Sequence, residues 1–122
     1  FASAWNHLKF LGFWFQNIKI TGSHLRSAHS LVNGDADIAA IDAVTWRFIK
    51  KYEVIATELR ILEATDPTPG LPYITSKTLK CDVMFDAIED AIKNLSKNVL
   101  RELNITGIIK IPKANYLAIP LP

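Results

Sequence analysis

The sequence predicts an α/β protein with an open parallel sheet, and three observations point to it. Short stretches rich in branched apolar residues recur at 17–21, 36–41 and 59–64, and apolar residues at helical spacing fill the segments between them. The 36–41 stretch is almost continuously apolar after Asp37, as expected of a parallel strand covered on both faces. A strand, a helix and a second parallel strand make a right-handed crossover, which sets both strand ends and the loops after them on one edge of the sheet.

The elements follow in order. Residues 2–12 put Trp5, Leu8 and Leu11 at helical spacing, with Gly12 as the stop. No strand precedes this helix, so the chain is expected to begin partway through a larger fold. Asn17 to Thr21 reads as a β-branched strand running into Gly22-Ser23-His24. A helix follows with Leu25, Ala28, Leu31 and Val32 as its apolar stripe and Gly34 as its C-terminal stop.

After the second strand, Asp42 caps a helix with Phe48, Ile49 and Tyr52 facing inward. A third strand is expected at 59–64. The segment 66–72 holds three prolines, which lack donors and bias the preceding residues toward extended geometry, so it reads as a connector or hinge. Met84, Ala87, Ile88, Ala91, Ile92 and Leu95 then carry the strongest helical periodicity in the chain. A break at Ser96 starts a short helix ending near Gly107, and the tail 108–122 is expected to be extended.

Composition narrows the function classes. The 122 residues are 49% hydrophobic and 21% charged, which fits a folded globular chain and is too short for two complete α/β domains. A net charge of +2 comes from scattered lysines and arginines with no basic stripe, which argues against nucleic acid. The longest apolar run, Phe10 to Phe15, falls far short of the roughly 20 residues a spanning helix needs. The lone Cys81 has no partner for a disulfide and no ligand-spaced neighbour for a metal, and it reads as a small packed side chain near a helix start. No metal or cofactor site is expected.

Chemistry in an open α/β sheet gathers where helix N-termini offer unpaired N–H groups and partial positive charge. Two such starts occur. At Thr21-Gly22-Ser23-His24 a glycine permits close backbone approach while Ser23, His24 and free amides can donate to an oxyanion. At Asp42-Ala43-Val44-Thr45 the carboxylate can cap its own helix or reach a ligand hydroxyl or cation. On pattern alone both are equally read as ordinary capped termini. Trp46 reads as core and His7 as surface. Glu89 and Asp90 read as the solvated face of a helix, and His24 and His29 fall on different helical faces, so they cannot share a metal.

The stretch Thr21 to Trp46, TGSHLRSAHSLVNGDADIAAIDAVTW, resembles the signature of phosphonate, phosphite and phosphate ABC-transporter binding proteins. Those proteins carry T/S-G-S-H, a helix, then G-x-A-D and an apolar run ending A-I-D-x-V-T-W. The later Pro69-Gly70-Leu71-Pro72 is similar to the family's return to its first lobe. The resemblance implies a type II periplasmic-binding fold, with residues 1–70 as part of the second lobe and 71–122 as the hinge return and C-terminal helices that pack on the first lobe. It implies no catalysis. The ligand is a small phosphonate, phosphite or phosphate-like oxyanion, the partner an ABC permease, and the location periplasmic, with the leader outside this chain.

By the same resemblance His24 contacts a phosphonyl oxygen, and Thr21, Ser23, Asp42 and Thr45 line the site. A second oxyanion clamp, S-x-S-G followed by an aromatic and Asn, is matched in part: Ser3 and Asn6 agree, while Phe1 and Ala4 depart. Leu71 stands where aminoalkyl-phosphonate binders have an acidic residue, so an amine-bearing ligand is disfavoured. Two other uses of the bilobal fold stay open on sequence alone: an enzyme such as a pyrimidine-precursor synthase, or the effector domain of a transcription regulator. The apolar run 10–15, if exposed, predicts a homodimer.

Overall fold

The computed structural model describes residues 2–119, and among them it is helical with no strand or sheet. The α/β parallel-sheet expectation is therefore corrected. The stretches 17–21, 36–41 and 59–64 are irregular, and no backbone hydrogen bond joins any two of them among the described residues. The physical reason is that β-branched composition fits a pleated surface but does not by itself supply the neighbouring strand that completes a ladder. Ile20 is 92% exposed, so the double-sided cover that a central parallel strand requires is lacking.

Two units divide the described residues: one of residues 2–68 with Ile119, the other Pro69–Ala118. In the first unit, α1 spans Ala2–Phe10, α2 His24–Val32 and α3 Ala43–Tyr52, followed by a short 3-10 helix Val54–Glu58. The helices α2, α3 and the 3-10 helix pack on one another, and the core sits there: Ala28 and Ile49 are the buried apolar residues, with Ser30 beside them. Trp5 meets Phe15 with ring centroids 5.8 Å apart, which folds the end of the apolar run back on α1.

Local signals decide where α2 and α3 begin and end. Ser23, in extended backbone, accepts from the Arg26 amide, and Asp42 accepts from the Val44 and Thr45 amides. Beyond Val32 the Asp35 amide bonds the Ser30 carbonyl at 2.8 Å and the Gly34 amide bonds that of Leu31 at 3.1 Å. This double closure needs a left-handed residue, and Gly34 supplies it at φ +74°.

In the second unit α4 spans Cys81–Lys93, α5 Lys97–Leu103 and α6 Lys113–Leu117. The Met84 to Leu95 periodicity thus sits on a real helix, and Ser96 caps the next one by accepting from Val99. Three expectations change here. The short helix stops at Asn104, which takes the left-handed conformation three residues before Gly107. The tail includes α6, closed by the Ala118 amide bonding Ala114 and Tyr116 carbonyls. Cys81 is exposed, because the first residue of α4 lies on no packed face.

Lys110 folds over α4, 2.6 Å from Asp82 and 4.7 Å from the Phe85 ring centroid. An open groove of about 400 Å³, lined by Ile92, Leu100, Ile105 and Ile108, lies beside α4 and α5. No described residue of this unit is fully buried.

Candidate functional site

The first start is built around the Ser23 carbonyl. Thr21 Oγ1 donates to it at 3.1 Å and the Ser27 amide donates to it at 3.0 Å. Because the one Thr21 proton is used there, the 2.7 Å contact between Thr21 and Ser27 hydroxyls has Ser27 as donor. Thr21 therefore holds the loop. Gly22 turns the chain at φ +82°, a left-handed conformation that a residue with a Cβ enters at a cost of roughly 1–2 kcal/mol.

Ser23 Oγ accepts from the Arg26 amide at 3.2 Å, which leaves its own proton free to donate outward. The amides of His24 and Leu25 begin α2 and make no backbone hydrogen bond among the described residues. Four donors result: the Ser23 hydroxyl, two amides and the exposed His24 imidazole.

The second start is chemically different. Asp42 Oδ1 accepts from Val44 N at 3.1 Å; Oδ2 accepts from Thr45 N at 2.8 Å and from Thr45 Oγ1 at 2.5 Å. The Thr45 hydroxyl bond, followed by these amides and the charge of His24, holds the Asp42 carboxyl below its ordinary titration range against a smaller opposing effect of burial. The amides that an anion would seek at α3 are thus already occupied by a carboxylate. The helices that carry the two starts, α2 and α3, pack on each other.

Ser3 is engaged elsewhere, its hydroxyl 3.3 Å from Thr68 Oγ1. Two residues expected to be unremarkable are not: His7 and Trp46 are each only partly exposed, with buried Nε2 and Nε1 atoms that lack a hydrogen-bond partner. One residue was missed. Arg26 sends its guanidinium back one turn, so that Nη1 is 3.7 Å from where a Cβ on Gly22 would stand. The i, i+4 spacing of Gly22 and Arg26 was the available signal. Among the described residues no group of three His, Cys, Asp or Glu side chains could hold a metal, and no helix is long and apolar enough to cross a membrane.

A family model described as the periplasmic substrate-binding protein of phosphonate ABC transporters matches residues 10–116. The chain belongs to this family. The resemblance carried by Thr21 to Trp46 is borne out, and the match covers both units. Neither curated proteins nor solved structures give a match. Membership makes the chain a substrate-binding component of an ABC phosphonate importer, a binding protein rather than an enzyme, of an extracytoplasmic family that works with a permease. The synthase and regulator readings give way to it.

Proposed function

We propose that this member of the phosphonate-binding family captures a phosphonate, phosphite or phosphate-like oxyanion at the start of α2. Ser23 and His24 donate to it together with the free α2 amides. Thr21 shapes the loop, and Asp42 with Thr45 holds the facing helix start and steadies His24. The observation that carries the reading is the set of donors left open at α2 beside a second helix start whose amides are taken. A carboxylate on α3 repels an anion there and leaves α2 as the favoured seat.

The Ser3 clamp is the weaker contributor, since Ala4 replaces a glycine in the pattern and the Ser3 hydroxyl already has Thr68 as a neighbour. Capture between two lobes, delivery to the permease from the periplasm and self-association through the apolar run 10–15, with Ile20 near it in the chain, complete the proposal. The first two rest on the family match, the third on the exposure of Phe10, Trp14 and Ile20.

A donor to a charged group contributes about 1.5–3 kcal/mol, so His24→Ala is expected to raise the Kd for methylphosphonate roughly 10- to 150-fold. Isothermal titration calorimetry with phosphate, phosphite and methylphosphonate measures it. An unchanged Kd in His24→Ala removes the site from the α2 start.

A further inference from the structure

Resting on the reading just given, we infer that Arg26 is a second cationic arm of the site and selects oxyanions carrying two negative charges. The Arg26 guanidinium is exposed and has no carboxylate against it among the described residues. The ion pairs Lys19 with Asp35, Lys93 with Glu89 and Asp90, and Lys110 with Asp82 do not include Arg26, which has no ion-pair partner among the described residues. Its side chain makes no hydrogen bond among the described residues; apart from the helix ladder, the bond Arg26 makes is from its backbone amide to Ser23.

The direction of the side chain is set by the helix. Side chains on α2 lean toward its N-terminus, and one turn back from Arg26 lies Gly22. With no Cβ at Gly22 the guanidinium settles against the loop that begins α2, its Nη1 3.7 Å from where that Cβ would stand. Charge arithmetic then separates ligands. The Ser23 hydroxyl and the α2 amides are neutral donors, so the second negative charge of a dianion seated on them is met by Arg26. A planar fork suits two oxygens of a tetrahedral oxyanion better than an ammonium does. The family match supplies an independent reason to expect such a ligand.

The test uses two probes of similar shape, methylphosphonate and dimethylphosphinate, titrated calorimetrically into the whole chain in a buffer alkaline enough to make methylphosphonate a dianion while dimethylphosphinate stays a monoanion. Arg26→Gln should raise the Kd for methylphosphonate roughly 10-fold or more and that for dimethylphosphinate less than about 3-fold. Arg26→Lys, which keeps the charge and loses the fork, should fall between. Far-UV circular dichroism of each variant shows whether α2 is kept. Wild-type affinity for methylphosphonate in Arg26→Gln overturns the inference, as does an equal loss for both probes. If wild type binds neither probe and His24→Ala changes nothing, the α2 site itself fails and Arg26 with it. If His24→Ala weakens binding while Arg26→Gln does not, only the arm is lost.

Discussion

At the scale of single residues, Asp42 makes a helix cap whose strength depends on pH. It caps α3 through Val44 and Thr45, and a cap of this kind contributes about 0.5–2 kcal/mol. Its folded-state titration lies below the ordinary aspartate range, so the unfolded chain takes up the proton first as acid is added. The stabilisation is therefore complete above that range, near pH 5 and upward, and is lost as the pH falls through about 3.9 and then through the lower folded-state value. Asp42→Asn, which caps without titrating, should flatten this acid-side loss in urea unfolding followed at 222 nm between about pH 6 and 3. A variant that loses stability as steeply as wild type over that window would leave Asp42 outside the pH dependence.

The residues legible in the sequence at this scale were those that act on their own neighbours. Ser23, Asp42, Gly34 and Ser96 each do their work within about one turn of chain, so spacing was enough to assign them. Arg26 was legible only in part: its i, i+4 spacing to Gly22 sets it over the loop, but the absence of a counter-charge is something spacing cannot report. His7 and Trp46 escaped for a related reason: burial of one ring nitrogen depends on what packs over it.

At the scale of elements, α2 and α3 are joined through very little. Ala28 and Ile49 are the buried apolar side chains, and Ile49 does most of the filling because alanine offers only a methyl group. Truncation of a buried isoleucine costs about 2–5 kcal/mol. Ile49→Ala is expected to lose that much in urea unfolding, to reduce helical signal, and to weaken methylphosphonate binding with it, since the α2 start is braced by α3. Val44→Ala, at a position 49% exposed on the same helix, should stay within roughly 0.5 kcal/mol of wild type. Equal costs for the two would mean that the core lies elsewhere.

The periodicity of Met84 to Leu95 found α4, because an amphipathic helix is declared by its own sequence. The three strands were a different kind of inference. A strand is completed by another stretch of chain, and residues 17–21, 36–41 and 59–64 have the composition for pairing without the pairing. What remains without the sheet is the packing of α2 on α3, the two helices whose starts carry Ser23 and Asp42.

At the scale of the whole molecule, the segment 10–20 leaves more apolar surface in water than scattered exposure explains. Phe10 is 89% exposed, Trp14 82% and Phe13 50%, and the only cover described over Trp14 is the Lys9 ammonium 5.7 Å from its ring. At about 150–250 Å² for a whole aromatic side chain, these three expose on the order of 300–550 Å², the size of the largest patch on an ordinary monomer. Ile18 and Ile20 add to it. Two such faces buried together release roughly 20 kcal/mol at 25 cal/mol per Å², against an association cost of about 4–15 kcal/mol, which leaves enough for a dimer in the micromolar range. A net charge of only +2 opposes this weakly. Sedimentation equilibrium of the chain at about 50 µM should therefore give a mass above the monomer's 13.7 kDa, and the double variant Phe10→Ser, Trp14→Ser should return it to that mass. The variant should still bind methylphosphonate, since its substitutions lie outside the α2 start. A wild-type chain that stays monomeric at that concentration would show that the exposed aromatics do not seek one another, and the driving force assigned to this surface would have to be withdrawn.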